Sequence, residues 1–225
     1  MNHIGRYSRG LVALTVWLII TMPSGPVRAD ESEFRNYINV DYTLLKADHN
    51  SWHLSLKPYY IIENRFRGGQ LVYEQWTMGL KMSPLPWLSV QSYYTPREQM
   101  YAGKPRVNKD VAGSDLLINP SFGRFQLLSR QANEWRITER YYRYRNLIGI
   151  TYKTPVKWLS LDADEEIRID SDQPRINQND LGGGLQFGLK KSMFIKLFYD
   201  LEAKRRHLPE WQYVRYLGLA IGAHL

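Results

Sequence analysis

The stretch that decides the fold is YYRYRNLIGITYKTPVKWLSLDADEEIRID, Tyr141 to Asp170. Taken two residues at a time, Tyr142, Tyr144, Ile148, Ile150 and Tyr152 share one face, and Arg143, Arg145, Gly149, Thr151 and Lys153 share the other. Beyond Pro155 the alternation resumes, with Leu159, Leu161, Ala163 and Ile167 opposite Ser160, Asp162, Asp164, Glu166, Arg168 and Asp170. A period of two is the signature of an extended strand. Two such strands joined across Pro155-Val156 predict a long antiparallel hairpin with one apolar and one charged face. Strands of soluble proteins average about five to six residues, whereas one that crosses a bilayer needs roughly nine to eleven. The length therefore points to a membrane-spanning strand.

The same pattern recurs outward from this hairpin. Tyr37 to Leu45 and Trp52 to Ile62 read as strands around a turn at 46–50, and Glu63 to Gln70, with Gly68-Gly69, reads as a loop. In Leu71 to Met82, Trp76, Met78, Leu80 and Met82 alternate with Gln75, Thr77, Gly79 and Lys81. GLKMSPLPWLSVQ from Gly79 resembles GITYKTPVKWLSLD from Gly149, with a weaker copy, GLQFGLKKSMFIKLF, from Gly184. Reuse of one hairpin grammar explains these copies better than domain duplication, and tight turns on one side predict an up-and-down meander. Longer polar connections are expected at Pro96 to Ser114, Ser171 to Asn179 and Lys204 to Pro209, the turn asymmetry of an outer-membrane barrel. Between Asp115 and Arg140 the outer face carries Ser129, Gln131 and Asn133, which suggests a register shift or a strand that rises above the bilayer. The last strand places Leu217, Leu219, Ile221, Ala223 and Leu225 on one face.

At the amino end, Arg6 and Arg9 precede an apolar run from Leu11 to Met22, followed by Val27-Arg28-Ala29. This is the layout of a secretory signal peptide cleaved after Ala29, because the run is too short for a spanning helix. The expected organisation is a signal peptide over residues 1–29 and one barrel domain over 30–225. The chain carries 30 basic and 22 acidic residues; removing the three arginines of the signal leaves 27 against 22, a net of +5. Such interspersed charge on an exported protein gives no reason to expect a nucleic-acid partner. With no cysteine, disulfides and thiolate metal sites are excluded.

Alternation alone leaves open whether the apolar face meets lipid or a dry core; the second case would be a soluble periplasmic barrel holding a lipid ligand. Trp87, Trp158, Trp211, Tyr142 and Tyr144 lie towards strand ends, where aromatic rings settle at a membrane interface, and this favours lipid outside. The charged face then lines a lumen. Counting across Pro155-Val156 sets Arg145 near Glu166, Leu147 near Asp164 and Gly149 near Asp162, with Arg130, Glu134, Arg136 and Arg143 on the same wall. Interleaved signs can pair inside a narrow barrel, which leaves two readings: a substrate path, or a network that plugs and stiffens the barrel.

LSRQANEWR from Leu128, RYRN from Arg143, DEE from Asp164 and INQND ahead of the glycine-rich stretch from Leu181 resemble a family of bacterial outer-membrane barrels known only as a domain of unknown function. Its pattern is R-x-R-x-E-x-R, then R-x-R, then D-E, then Q-N-R. Arg130, Glu134, Arg136, Arg143, Arg145, Asp164 and Glu165 stand where the pattern asks; Ala132 and Asp180 depart from it. The resemblance implies a fold and a compartment, the Gram-negative outer membrane, and no activity. A looser similarity joins the chain to small acidic-oligosaccharide porins, which also line a narrow barrel with arginines.

His53-Leu54-Ser55 is the one H-x-S, the spacing of barrel lipases, but alternation turns both residues inward, away from a lipid substrate. Asp48 and His49 read as turn residues, Gly182-Gly183-Gly184 as a strand start, and His207 and His224 as isolated, so neither enzyme activity, nor a metal, nor a cofactor is expected. The sequence thus predicts an all-β, up-and-down antiparallel transmembrane barrel of about ten to twelve strands. Its lumen charge network would comprise Arg130, Glu134, Arg136, Arg143, Arg145, Asp162, Asp164 and Glu166, and its partners would be outer-membrane lipid and a small anionic solute.

Overall fold

The computed structural model describes residues 32–49, 52–67, 69–100, 105–190, 192–205 and 211–224, so the expected signal peptide lies outside the described residues. Alternation along nearly the whole chain leaves little but strands. They are β1 Ser32–Asp41, β2 Leu45–His49, β3 Trp52–Arg67, β4 Gln70–Leu85, β5 Leu88–Thr95, β6 Arg97–Gln99, β7 Val107–Asn108, β8 Val111–Ile118, β9 Ser121–Phe122, β10 Phe125–Arg136, β11 Tyr141–Lys153, β12 Leu159–Asp170, β13 Gln173–Lys190, β14 Met193–Lys204 and β15 Gln212–His224. Eleven of them close into a ring, β3-β1-β15-β14-β13-β12-β11-β10-β8-β5-β4 and back to β3, with β2, β6, β7 and β9 as short additions at the rims. Closure gives each strand of the ring a neighbour on both sides and leaves no open sheet edge in the ring.

The expected strand number is met, but the wall is not antiparallel throughout. β1 pairs β15 in parallel, from Ser32 opposite Arg215 to Asp41 opposite His224. An up-and-down meander closes with antiparallel neighbours only when its strand number is even; with eleven, one pair must run parallel. That pair joins the first and last strands.

The wall is inside out relative to a soluble domain. Buried side chains include Glu63, Asp115, Glu134, Arg136, Arg143, Glu166, Asp170 and Glu202, while Trp76, Met78, Leu80, Met82, Ile148, Ile150 and Leu217 are exposed. Apolar side chains face out and ionised ones face in, so the apolar face does not enclose a dry core. Exposed Trp87 and Trp158 sit at one rim, and exposed Tyr142, its ring tilted against that of Trp135 at 4.5 Å between centroids, sits towards the other.

Several local expectations are corrected. The strand expected at Tyr37 to Leu45 stops at Asp41, and the turn expected at 46–50, with Asp48 and His49, is largely the short strand β2 folded back on β3. The loop expected at Glu63 to Gln70 is mostly wall: β3 runs to Arg67 and β4 starts at Gln70. Glu63, Arg65 and Arg67 alternate with Asn64 and Phe66, and that periodicity outweighs the glycine signal. Of the long loops, 96–114 carries β6, β7 and the start of β8, while 171–179 shrinks to a turn before β13. Tight turns therefore occur at both rims, and the expected asymmetry is reduced to the 96–110 connection; part of the third loop, 206–210, lies outside the described residues. β10 pairs β8 and β11 without a register shift, so Ser129, Gln131 and Asn133 stay on the outer face, where Tyr144 donates to Gln131. The glycine triplet lies inside β13, with Gly182 between Asp164 and Asp200. Each of them is the directly opposed partner of Gly182 on its own side, so the missing side chain leaves lumen space for both carboxylates.

Candidate functional site

The β11–β12 turn is longer than a two-residue turn. Thr154 caps it, its N–H donating to Leu159 O at 3.2 Å and its hydroxyl to Val156 O at 3.0 Å and to Leu159 O at 2.9 Å. The extra residues slide the ladder by two positions from the expected count: Arg145 faces Arg168, Leu147 faces Glu166 and Gly149 faces Asp164. A slip of two preserves the face, whereas a slip of one would have turned every charge outward. Arg145 still reaches Glu166 diagonally, with Nη2 to Oε2 at 2.8 Å and Nε to Oε1 at 3.0 Å.

The eight sequence-predicted residues all line the interior, though not as one cluster. Six form its centre. Arg145 bridges Glu166 and Glu134, the latter at 2.6 Å; Arg130 joins Glu166 at 2.5 Å, and Arg136 joins Glu134 at 2.8 Å. Arg143 makes a two-bond fork to Asp170 at 2.5 and 2.8 Å. Planar guanidinium forks on carboxylates are the pairing in which buried charges recover most of their lost hydration. Asp162 and Asp164 lie lower, towards the rim where β15 ends, and Asp162 holds Lys196 at 2.5 Å.

Sequence reading missed the other half of the network. Arg35 on β1 reaches over β15 to Asp200 on β14 at 3.2 Å, with Glu63 at 3.5 Å and Glu202 at 3.8 Å, and its guanidinium lies 3.7 Å from the Tyr216 ring centre. Tyr216 donates to Glu202 at 3.1 Å, Arg65 donates to Glu63 at 2.6 Å, and Arg168 ties Glu166 to Asp180. Alternation of Glu63, Arg65 and Arg67, and of Asp200, Glu202 and Lys204, was the available signal. At the waist of the barrel these pairs pack closely, with Glu166 and Glu134 buried.

Above this waist, towards the rim that carries the 96–110 connection, lies a cavity of about 300 Å³. Arg65, Arg97, Arg136, Arg143, Arg168 and Lys204 are in its lining, against the carboxylates Glu139 and Glu202. An adjoining space of about 380 Å³ shares Arg65, Tyr73 and Lys204 with it and adds Arg67. The acidic partners Glu63, Glu134 and Asp170 are buried in the wall, while the guanidiniums they hold border the cavity. Oriented this way, paired charges still leave a positive potential in the mouth. Set beside known proteins, the chain matches no protein-family model and no curated protein. The residues that carry the resemblance to the outer-membrane family, Arg130, Glu134, Arg136, Arg143, Arg145 and Asp164, share the inner wall; Glu165 does not, and faces outward with Asn179 donating to it at 3.1 Å.

Two further residues of the sequence reading find a place. Ser55 is buried on the inner face, bringing no hydroxyl to the outer surface, and the His53 side chain lies outside the described residues. His224, expected to be isolated, meets Asp41 at 2.6 Å across the parallel pair.

Proposed function

We propose that the protein is an outer-membrane β-barrel, exported behind a cleaved signal peptide, that admits a small anionic solute at its cationic mouth as a narrow, porin-like channel. The observation that carries this reading is the cavity bordered by Arg65, Arg97, Arg136, Arg143, Arg168 and Lys204 at one end of a barrel whose outer wall is apolar. A lipid-facing wall accounts for the exposed Trp76, Met78, Leu80 and Ile148, and a ring of fixed cations selects anions by the field it sets up at an entrance. The test is single-channel recording in planar bilayers. Conductance steps with a reversal potential set by the anion support the channel; their absence from well-folded protein removes it.

A second reading, a non-conducting structural barrel, is favoured by one observation, the burial of Glu134 and Glu166 within the barrel. On that reading the mouth binds anions without passing them. The same recording separates the two.

A further inference from the structure

The ladder between β12 and β13 breaks its register at Arg168–Ile169 and again at Ile169–Asp170, where Arg168 faces Gln178 but Ile169 faces Ile176. Asn177 is the extra residue of this bulge. Bulges turn a side chain out of strict alternation, and here the consecutive residues Asn177 and Gln178 are both buried, at 2 and 5% exposure. Gln178 spends its amide on Glu202 at 2.6 Å and on Asp180 at 3.0 Å. Asn177 differs: among the described residues no group bonds its Nδ2 or its Oδ1, although both atoms are buried and the residue lines the cationic cavity. Arg97 Nε and Arg136 Nε, on residues in the lining of the same cavity, are likewise buried without a hydrogen-bond partner among the described residues.

Leaving a buried carboxamide with neither end bonded is costly, and wall residues that carry no such need are common elsewhere in this barrel. We propose that the bulge at Asn177 builds, with Arg136 and Arg97, a binding site for a small oxyanion that also carries a hydroxyl. The guanidiniums take the charge. Whichever way the Asn177 carboxamide is turned, one of its atoms donates to an anion oxygen and the other accepts from the ligand O–H. An anion without a donor satisfies only half of it. Phosphoryl and carboxylate ligands share this chemistry, and a space of about 300 Å³ limits either to a small molecule. This inference rests on the anion-admitting mouth proposed above and adds the ligand class.

The test uses the folded protein in detergent micelles and calorimetric titration with two matched pairs: hydrogen phosphate against sulfate, and glycerate against propionate. In each pair only the first member carries a hydroxyl. Wild-type protein should prefer the hydroxylated member of at least one pair by about tenfold, the worth of one ordinary hydrogen bond. The pair that discriminates tells phosphoryl from carboxylate ligands. In Asn177→Ala, which removes no existing side-chain hydrogen bond, the preference should vanish while anion binding persists. In Arg97→Gln both members should weaken together and the preference should remain. Equal affinities within both pairs, or a preference that survives in Asn177→Ala, overturn this inference and leave the anion-binding mouth standing. No binding of any of the four anions overturns the mouth itself.

Discussion

Arg145 holds Glu166 with two hydrogen bonds, 2.8 and 3.0 Å, from a position two residues along from the one directly opposite it. The diagonal leaves its remaining Nη1 free to take Glu134 at 2.6 Å, so one guanidinium neutralises two carboxylates on different strands. Replacing Arg145 with Met keeps the side-chain length and strips both acids of their shared partner. Glu134 keeps Arg136 and Glu166 keeps Arg130 and Arg168, so neither charge is orphaned, and we expect the barrel to lose about 1.5–3 kcal/mol of stability, the worth of a charged hydrogen bond. Adding Glu166→Gln should restore part of it. Urea unfolding of the four proteins of this cycle, followed by tryptophan fluorescence, measures the coupling; additive losses would show that the bridge is not a unit.

The mouth offers a charge that can be changed without dismantling the waist. Arg97 has no ion-pair partner among the described residues, so Arg97→Glu inverts a charge at the cavity while leaving the pairs of Glu134 and Glu166 intact. If the barrel conducts, the reversal potential in a salt gradient should move towards cation selectivity. An unchanged potential would place the ion path elsewhere.

Ile148 stands in mid-strand on the outer wall and is 64% exposed. In a bilayer, Ile148→Arg should cost about 2–4 kcal/mol, whereas on a wall facing water the same change is nearly neutral. Folding titrations into lipid vesicles give the number. A negligible cost would argue against lipid at this face.

Gly218 lies beneath the ring of Phe198 on the neighbouring strand, so close that a Cβ at this position would run into the ring. The ring covers the bare backbone, the pairing known as aromatic rescue. Gly218→Ala should therefore destabilise by about 1–3 kcal/mol through overpacking, and Phe198→Leu, which shortens the ring to a branched chain, should relieve most of it in the double variant. Thermal unfolding of the single and double variants checks this.

The face of each long strand was readable from period-two alternation. Trp76, Met78, Leu80, Met82 and the hairpin from Tyr141 to Asp170 lie as their pattern dictates, because only one parity puts grease outside and ions inside. Register was less legible. The pairing of Arg145 depended on how many residues Thr154 drew into its turn, and face preference is indifferent to a slip of two. Asn177 could not be found at all, since a bulge is visible only as a mismatch between two strands, and its own neighbours Gln173-Pro174-Arg175 looked like loop. Glu63 and Arg65 were hidden by the adjoining glycines, although their alternation was in plain view. Nothing local in β1 or β15 announces that they run side by side in the same direction.

The parallel seam between β1 and β15 has no connecting turn to set its alignment. Its register is held instead by what reaches over it: Arg35 from β1, stacked on Tyr216 of β15 and paired with Asp200 and Glu202 of β14. Every element of that clasp beyond β1 and β3 lies on β14 and β15, which follow the other strands of the ring. The wall can latch shut only once β14 and β15 are in place, so a product that stops before them keeps one edge of β1 unpaired. The fold thereby carries its own check that the ring has closed, read out by one arginine.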